Sequence, residues 1–195
     1  MIGNPVIAGG GIVDRDAGVM IEKVNSWGVK SPSREYLGLP KDVRDSFSDL
    51  LCEYPVRLGE VAKRLGVKVL LSTLPRGTSG QIGQEDGEFV IRINRHEAKH
   101  RQRFTLAHEL AHYLLHRDKI VAEGGWSENV LLRSGQPANI EYEANRLASD
   151  LVLPSDQLST ATSEYTGPLT SEIIEDLARK FGVSTAAIEI KLQTV

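Results

Sequence analysis

The 195-residue sequence has a single cysteine, Cys52, which excludes an internal disulfide framework and a cysteine-based zinc ribbon. Because Cys52 follows Leu50 and Leu51 in an apolar stretch, a buried, reduced thiol is predicted. No apolar run approaches the roughly 18 to 20 residues that span a bilayer. The first residues also lack the basic segment and compact apolar core of a signal peptide. These absences favour a cytoplasmic protein with no membrane segment.

The chain also lacks an excess of positive charge. The chain has 23 Lys and Arg residues against 26 Asp and Glu residues, and its net charge is −3. Affinity that comes mainly from phosphate contacts needs clustered positive charge, so direct nucleic-acid binding is not expected. The local basic run from Arg92 to Arg103 is interpreted as the solvated start of a helix, with His96 and His100 exposed in it.

The hydrophobic pattern predicts an α+β fold, in which a small antiparallel sheet packs with a helix pair and a second helical pair follows at the C-terminus. Helices are predicted over 40–54, 57–65, 97–117 and 140–151, and strands over 67–71, 80–84 and 89–93. The strand over 80–84 is expected in the middle of the sheet.

Four regions follow from the changes in composition along the chain. Residues 1–35 are predicted to form a partly ordered N-terminal arm, because neither strand nor helix periodicity persists there. Residues 36–155 form the core. Residues 156–169, rich in Ser and Thr, are interpreted as a linker, and residues 170–195 as a helical pair.

The segment His108-Glu109-Leu110-Ala111-His112 carries the clearest chemical signal. Residues i and i+4 lie one above the other on a helix face, so the two imidazoles can converge on one metal ion. The Glu beside the first His is placed to take a proton from a metal-bound water. Apolar flanks bury this helix, and two histidines and a carboxylate are costly to bury without partners. The segment therefore predicts a metal site.

A third ligand is expected from the helix over 140–151. Glu141 shares its face with small residues suited to close helix packing, whereas Glu143 shares its face with Arg146 and Asp150, which are interpreted as solvent-facing partners. Glu141 is therefore predicted as the ligand and Glu143 as a surface charge. Asn145 either accepts the free ring N–H of a ligand histidine or is a buried polar residue that caps a local backbone group.

Two stretches together resemble the ImmA/IrrE family of metallopeptidases. The first is 103–116, with the sequence RFTLAHELAHYLLH, and the second is 141–148, followed by Leu-Val-Leu-Pro over 151–154. Residues 55–94 resemble the family's short helix and small sheet, and the resemblance covers about 50–155.

The resemblance implies a gluzincin-like zinc peptidase with one Zn²⁺ ion. The family's ligands correspond to His108, His112 and Glu141, and its general base to Glu109. One position departs conservatively, because Leu147 stands where the family usually has Phe. Family members cleave or otherwise disable helix-turn-helix repressors of phage, mobile-element or stress genes, which implies a repressor as the protein partner.

Several further residues are candidates for supporting roles. Tyr113, Arg103 and His116 are candidate donors to the oxyanion of the tetrahedral intermediate, and His116 is otherwise a structural residue near the ligands. A substrate peptide is expected to add as a strand along the sheet edge near Phe89–Asn94.

The C-terminal pair has the spacing of a helix-turn-helix, with Ala178, Gly182 and Ile188 at the expected positions. A DNA reader needs polar and basic residues on its second helix, but residues 185–192 offer one Lys and one Glu. A packing role or a partner-docking surface is therefore favoured over DNA binding.

The predicted function is that of a zinc-dependent endopeptidase that relieves repression by acting on a helix-turn-helix (XRE-type) repressor, in a phage, mobile-element, toxin–antitoxin or stress-response system. The alternative is a non-proteolytic zinc-binding regulator that sequesters a repressor. A DNA-binding protein that uses residues 170–193 ranks third.

Overall fold

The computed structural model describes residues 27–124, 126–127 and 138–193. The fold is α+β, as predicted. The first half comprises α1 (Arg34–Leu37), α2 (Lys41–Asp45), a 3₁₀ helix (Ser48–Cys52), α3 (Leu58–Arg64), β1 (Val67–Ser72), β2 (Gly80–Glu85) and β3 (Glu88–Asn94). The second half comprises α4 (Lys99–Ala122), β4 (Trp126–Ser127), α5 (Ala138–Val152), α6 (Ser155–Thr162), α7 (Ser171–Phe181) and α8 (Thr185–Lys191). Of the predicted N-terminal arm, residues 1–26 lie outside the described part.

The sheet is mixed rather than fully antiparallel, and its strand order is β1-β3-β2-β4. β3 pairs in parallel with β1, with Val67 opposite Phe89, and antiparallel with β2. The connection over 73–79 carries the chain past the position of β3, so β2 forms on the far side. Asp86 and Gly87, both with positive φ, form a tight turn after β2. This turn brings β3 back into the space between β1 and β2. The middle position predicted for β2 is therefore taken by β3.

The helix pair α4 and α5 packs on this sheet. At the start of α4, the Gln102 side-chain amide donates to the carbonyls of Asn94 and Arg95, at 3.2 and 3.0 Å, and ties the helix to the end of β3. Alanines at the contact between the helices, among them Ala111, Ala144 and Ala148, are fully buried. Small residues let two helices approach closely, so side chains on facing turns of α4 and α5 can meet.

Two local predictions are wrong. The helix predicted over 40–54 divides into α2 and the 3₁₀ helix, because Phe47 leaves helical geometry at φ −136° and fills the core. Cys52 is exposed, since the buried side of the 3₁₀ helix is made by Leu50 and Leu51. His96 and His100 are exposed, as predicted.

The segment 156–169 is not a structureless linker, because its first half belongs to α6. Pro154 is the N-cap residue of this helix, and Leu158 on it is fully buried. The C-terminal pair is likewise joined to the core: the Phe181 ring stacks on Tyr54 with 4.5 Å between centroids. Within the described ranges, no helix combines the length and apolar character needed to cross a membrane.

Candidate metal centre

Two histidines of α4 point at each other from successive turns. The Nε2 atoms of His108 and His112 are 2.9 Å apart, and the residues are 5% and 1% exposed. The rings meet edge to face, with an interplanar angle of 87°. Helical spacing of four residues produces this convergence directly.

Glu141 on α5 completes the group. Its Oε2 lies 3.3 Å from the Nε2 of His108, and its Oε1 lies 3.3 Å from the Nε2 of His112. Within the described part of the chain, these residues are the group of His, Cys, Asp and Glu side chains with metal-site geometry, and their ligand atoms lie within 4.8 Å of one another. The structure thus brings together the three residues predicted as ligands.

The chemistry of the donor set fits a divalent metal ion. Asn145 Oδ1 lies 3.1 Å from the Nδ1 of His108. An acceptor at this nitrogen favours the tautomer with the proton on Nδ1, which leaves the Nε2 lone pair facing the centre. Glu141 Oε1 is buried and has no hydrogen-bond partner among the residues that the structure describes. A buried acceptor of this kind is satisfied by a cation at the centre.

The protonation states of the group suit the same role. Burial lowers the pKa of His112, which keeps its imidazole neutral at neutral pH. Burial alone raises the pKa of Glu141, but the neighbouring His108 and His112 side chains outweigh it and bring this pKa below its usual range. A neutral imidazole and an ionised carboxylate are the forms that bind metal.

Glu109 is almost fully buried beside the centre, and its position depends on a glycine of β2. A Cβ placed on Gly80 would lie 2.8 Å from Glu109 Oε1 and 2.4 Å from the Thr105 methyl group. Only glycine allows α4 to approach the strand this closely. The sequence predicts Gly80 as the first residue of a strand. Glycine inside a strand often marks a close approach, which is the signal that was missed.

The candidate supporting residues separate into two groups. Asn145 contacts His108, and the His116 ring lies 5.6 Å from that of His112. Tyr113 instead donates to the carbonyl of Leu65 at 3.1 Å. Arg103 donates to the carbonyl of Val56 at 3.0 Å and packs against Gly182. These contacts hold the Tyr113 side chain at Leu65, just before β1, and the Arg103 side chain at Gly182, between α7 and α8.

The residues interpreted as surface charges on α5 have partners instead. Glu143 Oε2 lies 3.7 Å from the Nε2 of His116. Asp150 is 4% exposed and accepts from Lys191 Nζ at 2.6 Å and from the Ser33 backbone N–H at 2.8 Å. A further partner was also missed: Arg146 makes a bidentate ion pair with the buried carboxylate of Glu35. The solvent-facing role predicted for Asp150 is therefore wrong, whereas Arg146 is exposed, as predicted, and pairs with Glu35 from there.

The predicted peptide-binding edge near Phe89–Asn94 is wrong as well. β3 pairs with β1 on one side and with β2 on the other, so its backbone groups are already used. The strand that lies against the metal helix is β2, through Gly80.

Comparisons with known proteins place the chain in a family. A Mycobacterium tuberculosis transcriptional regulator of known structure is 18% identical, with a TM-score of 0.44, and the match covers 75% of this chain and 49% of that one. The chain thus spans about half the length of that regulator. No curated protein matches. The family model described as the IrrE N-terminal-like domain, a peptidase family, matches residues 62–193, which include the whole metal-binding group. The chain therefore belongs to the ImmA/IrrE family of metallopeptidases.

Proposed function

We propose that this chain is a zinc-dependent endopeptidase that hydrolyses a peptide bond of a protein substrate. The observation that carries the proposal is the convergence of His108, His112 and Glu141, with Glu109 next to the first of them on α4. Membership of a metallopeptidase family supports the reaction class.

Two histidines and a glutamate are a ligand set of catalytic zinc, which keeps a further position for water or substrate. His108, His112 and Glu141 would hold the ion. When bound, zinc polarises a carbonyl and lowers the pKa of a coordinated water. Asn145 fixes the orientation of the His108 ring.

Glu109 acts as the general base. It accepts a proton from the attacking water while the water oxygen bonds to the carbonyl carbon of the substrate. It then donates that proton to the amine as the C–N bond breaks. Burial of Glu109 against Gly80 leaves its carboxylate little freedom, which reduces the cost of orienting it.

A helix-turn-helix repressor of the XRE type is the proposed substrate, because the family resemblance implies such a partner. Its cleavage relieves repression in the cytoplasm. Sequestration of the repressor without cleavage is less well supported, because a scaffold does not need the buried carboxylate of Glu109 or the glycine that accommodates it.

DNA binding through α8 is disfavoured by the position of its lysine. Lys191 is 3% exposed and pairs with Asp150, so its ammonium group does not face a phosphate backbone.

The test is incubation of the chain with a helix-turn-helix repressor of the XRE type, followed by mass spectrometry of the products. Replacing the base in Glu109→Gln is expected to slow cleavage by about 100- to 10,000-fold, with the zinc content unchanged. Asp118→Asn, an exposed acidic residue on the same helix, is the matched control and retains full activity. Equal cleavage by wild type and Glu109→Gln rejects the role of Glu109. Tight binding with no product from wild type favours sequestration.

A further inference from the structure

A groove that the proposed reaction does not use lies on the outer side of α5. Its volume is about 680 Å³, and its walls are the segment 30–33, helix α5 and helix α8. This volume falls in the range of about 300 to 1,000 Å³ that is typical of ligand pockets. Hydrogen bonds hold the walls together, since the Lys30 N–H donates to the Lys191 carbonyl at 2.9 Å.

The groove exposes two large side chains with apolar surface. Tyr142 on α5 is 62% exposed, and Ile190 on α8 is 53% exposed. Val152 and Leu153 form a buried apolar base between them. Large apolar side chains that are half exposed and face one groove are typical of a surface that contacts another polypeptide.

Charges in the groove are neutralised within the protein. The Asp150 carboxylate pairs with Lys191 Nζ, and Arg146 pairs with Glu35. Lys30 is exposed at the rim. A charged side chain that entered the groove would lose water and gain no counter-charge at the base. The groove is therefore complementary to uncharged apolar side chains, with an acidic neighbour favoured near Lys30.

The groove adjoins the metal centre through the side of the His108 ring that carries Nδ1. Asn145 lines it and also contacts the Nδ1 of His108. Phe104 lines it too, and its ring centroid is 6.4 Å from that of His108. Tyr142 follows the ligand Glu141 directly. A polypeptide in the groove would therefore contact Asn145 and Phe104, which adjoin the ligand His108.

We propose that this groove binds an apolar stretch of the protein substrate and so selects which polypeptide reaches the metal centre. The proposal rests on the proposed function, because it assigns the occupant as substrate. It also gives a role to the C-terminal pair: α8 presents Ala187 and Ile190 to a partner instead of basic residues to DNA.

The experiment uses the full chain with Glu109→Gln, loaded with zinc, as bait for a phage-displayed library of random dodecapeptides. Selected peptides are labelled with fluorescein, and their Kd is measured by anisotropy. We expect peptides rich in Leu, Ile or Phe, with Asp or Glu near one end. Ile190→Asp and Ala187→Arg are each expected to raise Kd at least about ten-fold, since each places an unpaired charge in the groove.

Leu71→Asp is the matched control. Leu71 on β1 is 52% exposed, nearly the same as Ile190, but it does not line the groove. Its substitution should leave Kd unchanged. Recovery of no peptides, or equal weakening by Leu71→Asp and Ile190→Asp, would overturn the proposal.

Two other occupants are separated by further measurements. A dimer in sedimentation velocity that Ile190→Asp dissociates would assign the groove to a second copy of the chain. A synthetic peptide of residues 1–26 that displaces the selected peptides would assign it to the chain's own N-terminal segment. Either result contradicts substrate binding.

The groove and the proposed function can fail separately. The same peptides are titrated onto full-length His108→Ala, which lacks one metal ligand. If the wild-type chain binds the peptides but hydrolyses no substrate, and Ile190→Asp abolishes the binding, only the proposed peptidase function is refuted. Normal cleavage of the helix-turn-helix protein by Ile190→Asp refutes only the groove.

Discussion

Helix α5 carries one carboxylate near each end, Glu141 near the first and Asp150 near the second, and their surroundings differ. Asp150 has a partner for each oxygen, Lys191 on one side and the Ser33 N–H on the other. Glu141 faces the imidazoles of His108 and His112, and its Oε1 has no hydrogen-bond partner in the described structure. A carboxylate whose partners are complete stabilises the fold. A carboxylate with an unsatisfied oxygen beside two imidazoles indicates a cation-binding site.

The largest expected effect on stability comes from removing a partner of the Asp150 carboxylate. Lys191→Ala leaves the Asp150 charge buried without its counter-ion, which costs about 3–5 kcal/mol. Denaturant unfolding should show this loss as a lower midpoint with an unchanged slope. The control is Arg179→Ala, whose ion pair with Asp176 is largely exposed and should have little effect. A similar, small effect of both substitutions would show that the Asp150 pair contributes nothing special.

A smaller loss is expected where the metal helix meets the sheet. Gly80→Ala places a methyl group 2.4 Å from the Thr105 methyl, and overpacking of this kind costs about 1–3 kcal/mol. Cleavage should fall as well, because Glu109 must move. Gly59→Ala is the control: its Cβ meets nothing within 4 Å on helix α3, so it should stabilise the chain slightly. Full cleavage activity in Gly80→Ala would show that the position of Glu109 does not depend on this glycine.

Asn145→Ala tests the contact that orients the ligand His108 at the Glu141 end of α5. Loss of the acceptor at His108 Nδ1 is expected to weaken zinc binding by about 10- to 100-fold. Competition with a chelator of known affinity, at fixed pH, measures this change. Ser149→Ala, one turn further along α5, is the control and should bind zinc like wild type. Unchanged affinity in Asn145→Ala would leave Asn145 as a residue of the groove alone.

The metal-binding group was predictable because it depends on local geometry. His108 and His112 converge through helical spacing alone, and Glu141 was distinguished from Glu143 by the small residues on its helix face. The same reasoning was wrong for Asp150, which is buried, and did not reveal the ion-pair partner of Arg146. Their partners, Lys191 and Glu35, come from segments distant in sequence, and no periodicity on α5 shows which segment covers it.

Other contacts also depend on segments that are distant in sequence. Tyr113 and Arg103 adjoin the motif in sequence, but helical rotation turns their side chains toward Leu65 and Val56. The parallel pairing of β1 with β3 depends on the path of the connection over 73–79, which strand alternation does not encode. The fold class and element types followed from periodicity, whereas strand order and long-range ion pairs required the structure.

The central claim is that Glu141 completes a zinc site with His108 and His112. Its most direct test is the zinc content of the purified chain by elemental analysis, in wild type, Glu141→Ala and Glu143→Ala. Wild type and Glu143→Ala are expected to hold equal amounts of zinc after dialysis, and Glu141→Ala to lose it while circular dichroism shows the same fold. Zinc retained at the wild-type level by Glu141→Ala, or lost equally by both variants, would contradict the account.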